Sequence, residues 1–373
     1  MPPISVLLKP SSGLCSFNCA YCFYRDEMQN RDQASFGLMS EETLKNVLRK
    51  TMLRADSAIS FAWQGGEPTL RGLDFFREAV SLQKKYNQRK LRVSNAFQTN
   101  GYLLNEDWCR FFAENQFLVG VSVDGTALIH DRYRRLPNGE TTYQRVTENI
   151  KLLDKYRVNY NILTVVTRDL AENIEEIYTH YKAQGWKYQQ YIQCLDPLGC
   201  PPARQPWSLT PDVYGDFLIR LFRLWYEDLK KGQQPYIRQF ENYIGILLGF
   251  QPEACDQRGV CSIQNVVEAD GSVYPCDFYM LDEYRLGNFN VNQLDEIDEK
   301  RRQIRFLERS MQAQQSCRSC ENFALCRGGC QRHRTFQSPA FQQRNIFCES
   351  YKRFFSSCGR ELLQIAEAAR RGC

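Results

Sequence analysis

No run of about 18 consecutive apolar residues occurs in the 373-residue sequence, so no segment is expected to span a bilayer. An excess of one charge is missing too. The 48 basic and 43 acidic residues leave a formal charge of +5, a near balance that gives no reason to expect nucleic acid or a membrane surface as partner. There is no internal repeat and no low-complexity tract. The opening MPPISVLLKPSSGLC has too short an apolar stretch and no basic leader for a secretion signal, so a cytoplasmic location is expected. The sequence is rich in cysteine, with 16 in all. In a reducing compartment that number favours metal binding or catalysis over a disulfide framework.

A hydrophobic content of 43% and an aromatic content of 13% mark a folded protein, long enough for two or three domains. Over residues 1–200 short apolar runs alternate with amphipathic stretches. ISVLLK, AISFAW, RVSNAFQTNG, FLVGVSVDG, YNILTVV and YQQYIQCL read as strands. Segments at helical spacing separate them, such as SEETLKNVLRKTML and GLDFFREAVSLQKKY. Ser40 before Glu41 and Glu42 suits a helix start, and Asp169 with Glu172 offers a capping box. Six such alternations predict an α/β fold in which a parallel sheet with crossover helices closes partly as a barrel, with ligands at the C-terminal ends of the strands. Residues 201–250 read as a helical linker region, 251–350 as a cysteine-rich domain, and 351–373 as a C-terminal helix.

CSFNCAYCFY, residues 15–24, places Cys15, Cys19 and Cys22 in the pattern C-x3-C-x2-C. Three thiolates can hold three irons of a 4Fe-4S cluster and leave the last open to another ligand. The alternatives are a zinc site or three unrelated cysteines. WQGGEPTL, at the end of the next strand, supplies Gly65 and Gly66 for close backbone approach to a ligand and Glu67 as a carboxylate for an amine. Together these segments resemble the radical S-adenosylmethionine enzymes. The resemblance implies a partial (β/α)6 TIM-like barrel in which the amino and carboxylate groups of S-adenosylmethionine fill the open iron position, and a 5′-deoxyadenosyl radical then removes a substrate hydrogen. Residue by residue, it implies cofactor contacts at Tyr21, Gly66, Ser122, Arg134 and Leu195.

Cys255, Cys261, Cys276, Cys317, Cys320, Cys326, Cys330 and Cys348 follow, with Cys261 to Cys276 as C-x9-G-x4-C and Cys317 to Cys348 as C-x2-C-x5-C-x3-C-x17-C. Zinc is the simple alternative, since C-x2-C pairs are common in zinc ribbons. The long pattern resembles the SPASM domain of peptide-modifying radical enzymes. That resemblance implies two fully ligated 4Fe-4S clusters, one on Cys255, Cys261, Cys276 and Cys330 and the other on Cys317, Cys320, Cys326 and Cys348, with Cys358 as an alternative to Cys348. Cys109, Cys194, Cys200, Cys358 and Cys373 lack ligand spacing and read as small apolar residues. Hydrogen-atom removal leaves a carbon radical whose second electron needs an acceptor, and a base helps if that carbon bears a thiol or hydroxyl. Asp277, directly after Cys276, is well placed to be that base.

Across nearly its whole length the sequence resembles the anaerobic sulfatase-maturating enzymes, in the phrases CSFNCAYCFY, FAWQGGEPTL, QTNG, FLVGVSVDG, ILTVVT, CLDPL and VVEADGSVYPCDFYMLDEYRLGN. The resemblance implies oxidation of a sulfatase cysteine or serine to Cα-formylglycine with three 4Fe-4S clusters and S-adenosylmethionine. It further implies an unfolded or nascent sulfatase polypeptide as substrate and a low-potential electron donor such as flavodoxin or ferredoxin. Tyr24, Gln64 and Gln98, near strand ends, are further candidates for peptide or cofactor contact. Two rival readings are another SPASM-type modifier, forming a thioether or crosslink, and a non-catalytic zinc or iron-sulfur scaffold.

Overall fold

The structure, a computed structural model, describes residues 3–312, 315–334 and 344–372. Among the described residues ten strands occur in chain order: β1 (Ile4–Leu8), β2 (Ala58–Trp63), β3 (Arg92–Thr99), β4 (Leu118–Ser122), β5 (Asn159–Val166), β6 (Tyr188–Gln193), β7 (Tyr236–Ile237), β8 (Asn265–Val267), β9 (Ser272–Tyr274) and β10 (Gly287–Asn288). The chain divides into two units, each assembled from separated segments. The first holds Met1–Val123, His130–Asn161 and Ile263–Phe306, and the second holds Asp124–Ile129, Ile162–Ser262 and Leu307–Cys373.

In the first unit β1, β2, β3 and β4 pair in parallel in that order, and β8 joins the free edge of β1, also in parallel. β9 and β10 extend that edge antiparallel. Parallel neighbours need crossovers, and the helices Glu41–Met52, Leu73–Tyr86 and Glu106–Glu114 supply them. The helix starts are chemically marked, with Ser40 accepting from Thr43 N at 3.1 Å as expected, and Asn105 accepting from Trp108 N at 3.1 Å. On β2 the residues Ile59, Phe61 and Trp63 are buried while Ser60 and Ala62 face the other side. Phe76 packs on Phe97 and Phe97 on Phe112 at ring separations of 5.0 and 4.9 Å, so one face of the sheet is sealed by aromatic helices. The other face, at the C-terminal ends of these strands, carries the polar motifs.

In the second unit β5, β6 and β7 pair in parallel, with the β5 register running over Ile162–Val166. Two short helices follow β5, Arg168–Glu172 and Ile174–Ala183. The cap is Thr167, whose hydroxyl accepts from Leu170 N at 3.3 Å, so the expected Asp169/Glu172 capping box does not form. The helices Pro211–Leu229, Arg238–Leu247 and Cys348–Arg371 pack on one another through Phe222, Phe240 and Phe354. Among the described residues no helix is long and apolar enough to cross a membrane.

Candidate active site and thiol sets

The three-cysteine loop follows β1 and is strapped in place by backbone bonds. Asn18 N donates to Arg135 O at 2.7 Å and Ala20 N to Tyr133 O at 3.1 Å. Gly66 N donates to Ser12 O and Glu67 N to Leu14 O, both at 2.8 Å, which lays the GGEP segment along the loop. A Cβ on Gly66 would stand 2.0 Å from the Leu14 carbonyl oxygen, so only glycine permits this contact. Gly65, at φ +130°, packs directly on the side-chain stem of Lys9, with a Cβ there only 3.0 Å from that of Lys9. Both glycines thus allow close approach, but the partners are the chain's own loop and Lys9.

Glu67 is fully buried. Its Oε1 accepts from Thr69 N, Thr69 Oγ1 and Thr99 Oγ1, and its Oε2 from Asn100 N at 2.8 Å. Burial raises its pKa, against the pull of these donors. The sequence suggested a carboxylate held out to an amine. The carboxylate fastens the ends of β2 and β3, with three donors on Oε1 and one on Oε2.

Cys15, Cys19 and Cys22 lie close enough to repel one another electrostatically. Cys15 is exposed, and desolvation by the surrounding protein, then Glu67, raises its thiol pKa. Asn100 Nδ2 donates to Ser16 Oγ at 2.9 Å and reaches Cys15 Sγ at 3.8 Å, a contact the sequence gave no reason to seek. Tyr21 is buried, with the Arg134 guanidinium 5.4 Å from its ring centre. Ser122 ends β4 and is buried, and Gln98 is half-buried on β3. Leu195 follows β6 in the second unit, half-buried.

Asp277 is held by two side chains. Lys9 Nζ lies 2.5 Å from Oδ1, an ionic contact without good hydrogen-bond alignment, and Gln64 Nε2 donates to Oδ2 at 2.5 Å. The Lys9 side chain is 1% exposed and that of Asp277 14%, so the ion pair is largely desolvated but open on the carboxylate side. Lys9 is fixed in turn, its Nζ resting 3.6 Å from the centre of the Tyr24 ring. The Tyr24 hydroxyl donates to Glu268 Oε2, and that same oxygen accepts from Arg31 NH1 at 2.9 Å. Glu268 and Arg31 are buried, and burial followed by Glu268 raises the Tyr24 pKa well above its ordinary value. Tyr24 was expected to touch peptide or cofactor. Its hydroxyl is committed to Glu268, and its ring floors the Lys9 site. The sequence reading missed Lys9, Arg31 and Glu268. A lysine at the end of the buried strand β1 was the available signal, because a buried lysine needs a partner.

The second unit contains two further thiol sets. Cys317, Cys320, Cys326 and Cys348 interact electrostatically with one another, and burial, then Cys348, raises the Cys326 thiol to about 11. Cys348 belongs to this set, whereas Cys358 is buried in the C-terminal helix. Cys330 is felt by Cys255 and Cys261, and burial, then Cys255, raises its thiol to about 12. A Cβ on Gly259 would meet the Arg327 carbonyl oxygen at 2.0 Å, so that glycine lets the Cys255–Cys261 loop close on the turn between Cys326 and Cys330. Cys276 lies in the first unit beside Asp277. Cys109 and Cys194 are buried and Cys200 is half-buried, while Cys373 lies outside the described residues.

Among the described residues no group of three or more His, Cys, Asp or Glu side chains is placed to hold a single ion. A zinc site needs its sulfurs all at about 2.3 Å from one metal, and no such grouping occurs among the described residues. Thiols gathered at this spacing, each disfavouring ionisation of the next, fit a multi-iron cluster whose charge offsets their repulsion.

Residues 10–181 match the Radical SAM superfamily and residues 255–321 an iron-sulfur cluster-binding domain. The class is therefore a radical S-adenosylmethionine enzyme, an α/β partial barrel followed by a C-terminal iron-sulfur domain. The chain is 43% identical to the cysteine-type anaerobic sulfatase-maturating enzyme of Clostridium novyi over 98% of both chains. It is 31% identical to the serine-type enzyme of Bacteroides thetaiotaomicron, over 95% of this chain and 89% of that one. A solved structure of native anSMEcpe with bound AdoMet and Cp18Cys peptide superposes with a TM-score of 0.93 at 40% identity, over 99% of this chain and 100% of that one. The chain belongs to the anaerobic sulfatase-maturating enzyme family.

Proposed function

We propose that the protein oxidises an active-site cysteine of a sulfatase polypeptide to Cα-formylglycine under anaerobic conditions, using S-adenosylmethionine and three 4Fe-4S clusters. The observation that carries this reading is the clamped carboxylate of Asp277, set between Lys9 and Gln64. Such a carboxylate is oriented to take a proton, and its partly open side leaves room for a substrate thiol. Identity of 43% to a cysteine-type relative against 31% to a serine-type one supports cysteine as the favoured target.

In this reading Cys15, Cys19 and Cys22 hold the cluster that meets S-adenosylmethionine. Tyr21, Gly66, Ser122, Arg134 and Leu195 bind the cofactor, and Gly65 and Glu67 shape the segment that presents Gly66. The bound cofactor and clusters would supply the one-electron chemistry for oxidation at the substrate Cβ. Asp277 takes the proton from the substrate heteroatom. Lys9 and Gln64 position it, and Gln98 lines the half-buried face of β3 where peptide would lie. Cys255, Cys261, Cys276 and Cys330 hold one auxiliary cluster, and Cys317, Cys320, Cys326 and Cys348 the other. The division of labour follows the sequence, with a barrel over 1–200, a helical linker region over 201–250, a SPASM domain over 251–350 and a terminal helix over 351–373. The partners we infer are an unfolded or nascent sulfatase and a low-potential donor such as flavodoxin or ferredoxin, in the cytoplasm.

The test is anaerobic incubation of the reconstituted protein with S-adenosylmethionine, a reductant, and sulfatase-motif peptides carrying cysteine or serine, followed by mass spectrometry. Aldehyde formation with loss of sulfur from the cysteine peptide is expected. A crosslinked product that retains sulfur, or no product beside active cofactor cleavage, would refute the reading.

A further inference from the structure

Arg334 is buried, 4% exposed, in the second unit. Its NH2 group donates to Ser310 O at 2.7 Å, and its Nε has no partner among the described residues. Ser310 is also bound to the thiol sets, because its hydroxyl accepts from Cys261 N at 2.9 Å. The short helix Gln331–His333 begins at Cys330, and Arg334 N closes it on Gln331 O at 2.9 Å. Gln331 in turn contacts Cys261 Sγ through its side-chain oxygen at 3.6 Å. The guanidinium is thus seated by the segments that carry Cys261 and Cys330, and its charge is felt at the Cys261 thiol and at the Cys317 thiol of the other set.

Other cations stand near the thiols, with the charge of Arg238 felt at Cys255 and that of Arg344 at Cys317. Burial, then Arg332, lowers the His333 pKa to about 4, so its imidazole is neutral. Arg344, near Cys348, is paired with Glu349 and half exposed to solvent. Arg332 is buried two residues after Cys330, and its backbone N–H donates to Cys330 Sγ at 3.4 Å. Arg334 is a second desolvated cation, seated toward Cys261 through Ser310, and a desolvated charge acts at distances where an exposed one is screened.

We propose that Arg334 raises the reduction potential of the auxiliary cluster bound by Cys255, Cys261 and Cys330, making it the better acceptor for the electron that leaves the substrate radical. This rests on the assignment of those thiols as cluster ligands. Reduction adds one negative charge to the cluster, and a fixed cation beside it stabilises the reduced form relative to the oxidised one. The connection runs through Ser310, whose carbonyl holds the guanidinium and whose hydroxyl holds Cys261 N.

The experiment is a potentiometric titration of the reconstituted holoenzyme followed by electron paramagnetic resonance, on wild type, Arg334→Met, Arg334→Gln and Arg334→Lys, with iron counted in each. Loss of the cation is expected to lower the reduced-to-oxidised ratio of that cluster about tenfold at fixed potential, a fall of about 59 mV for a one-electron couple. Arg334→Lys should restore most of it, and the aldehyde yield per 5′-deoxyadenosine should follow the potential. A purely structural role would predict loss of iron with no rescue by lysine. Full iron with an unchanged potential in either neutral variant overturns the proposal. If both neutral variants lose iron, a lysine variant that keeps its iron but has a midpoint as low as the remaining clusters' also overturns it. Cys261→Ser separates the two levels, because full iron retention there would overturn the ligand assignment itself.

Discussion

Lys9→Met is the perturbation that bears most directly on the site. Methionine has nearly the length of the lysine stem, so the packing against Gly65 and the Tyr24 ring survives while the charge is lost. The carboxylate of Asp277 keeps Gln64 and partial access to solvent, but its cation at 2.5 Å is gone. Removing one partner of a buried ion pair costs about 3–5 kcal/mol. The low end, about 3 kcal/mol, applies because Asp277 is 14% exposed and can recover some hydration. The carboxylate can recover it only by turning toward water, away from the substrate heteroatom. Misplacing a reacting group by about 1 Å costs about 10²-fold in rate, and that is the expected fall in aldehyde formation. Cleavage of S-adenosylmethionine should continue, since the charge of Lys9 is directed to Asp277. The assay is the ratio of formylglycine peptide to 5′-deoxyadenosine, with iron content and thermal unfolding measured on the same sample. A wild-type ratio in folded, iron-replete Lys9→Met would refute the claim that the pair positions Asp277. Lys9→Arg should restore part of the ratio, which a simple loss of packing would not explain.

Four further outcomes are expected. Asp277→Asn keeps size but removes the basic oxygen, so aldehyde formation should fall about 10²- to 10⁴-fold while 5′-deoxyadenosine still forms; equal activity would leave Asp277 a spectator. Replacing Cys15, Cys19 and Cys22 together with alanine should abolish cofactor cleavage and leave the auxiliary clusters, and persistent 5′-deoxyadenosine would contradict it. Changing Cys276 or Cys330 should remove one set of about four irons, and changing Cys320 or Cys326 the other; loss of the same spectroscopic species in all four variants would overturn the pairing. Gly66→Ala forces a Cβ to within 2.0 Å of the Leu14 carbonyl oxygen, so the GGEP segment must back away from the loop. Overpacking of this kind costs about 1–3 kcal/mol, read as a lower unfolding temperature together with weaker S-adenosylmethionine binding in equilibrium dialysis.

Much of the first unit was legible because its signals are local. AISFAW matches β2 residue for residue, and Ser40 caps its helix as expected, since alternation and capping are properties of neighbouring residues. The failed capping box at Asp169 shows the limit. Thr167 lies two residues earlier with its hydroxyl already aimed at Leu170 N, and nothing in the local pattern ranks one cap above the other. The cysteine spacings were legible for the same reason, as they encode ligand sets within short segments. The Lys9–Asp277 pair was not, because its members stand far apart in sequence and meet only through the pairing of β1 with β8.

The GGEP segment also has partners within the chain that its sequence does not announce. Two glycines and a carboxylate after a strand suggest a surface that holds a ligand. In the structure Glu67 accepts from Thr69, Thr99 and Asn100, which locks the end of β2 to that of β3. The locked ends let Gly66 press on the cysteine loop and Gly65 press on Lys9. Lys9 then fixes Asp277, and Tyr24, held through Glu268 and Arg31, fixes Lys9. The same four residues therefore set the distance between the loop that handles the cofactor and the carboxylate that handles the proton. Radical formation and proton removal must act on one substrate carbon and its heteroatom, so that distance governs whether cofactor cleavage yields aldehyde or is wasted. A mutation in GGEP should accordingly disturb coupling as well as cofactor affinity, whereas one in the Lys9 support should disturb coupling alone.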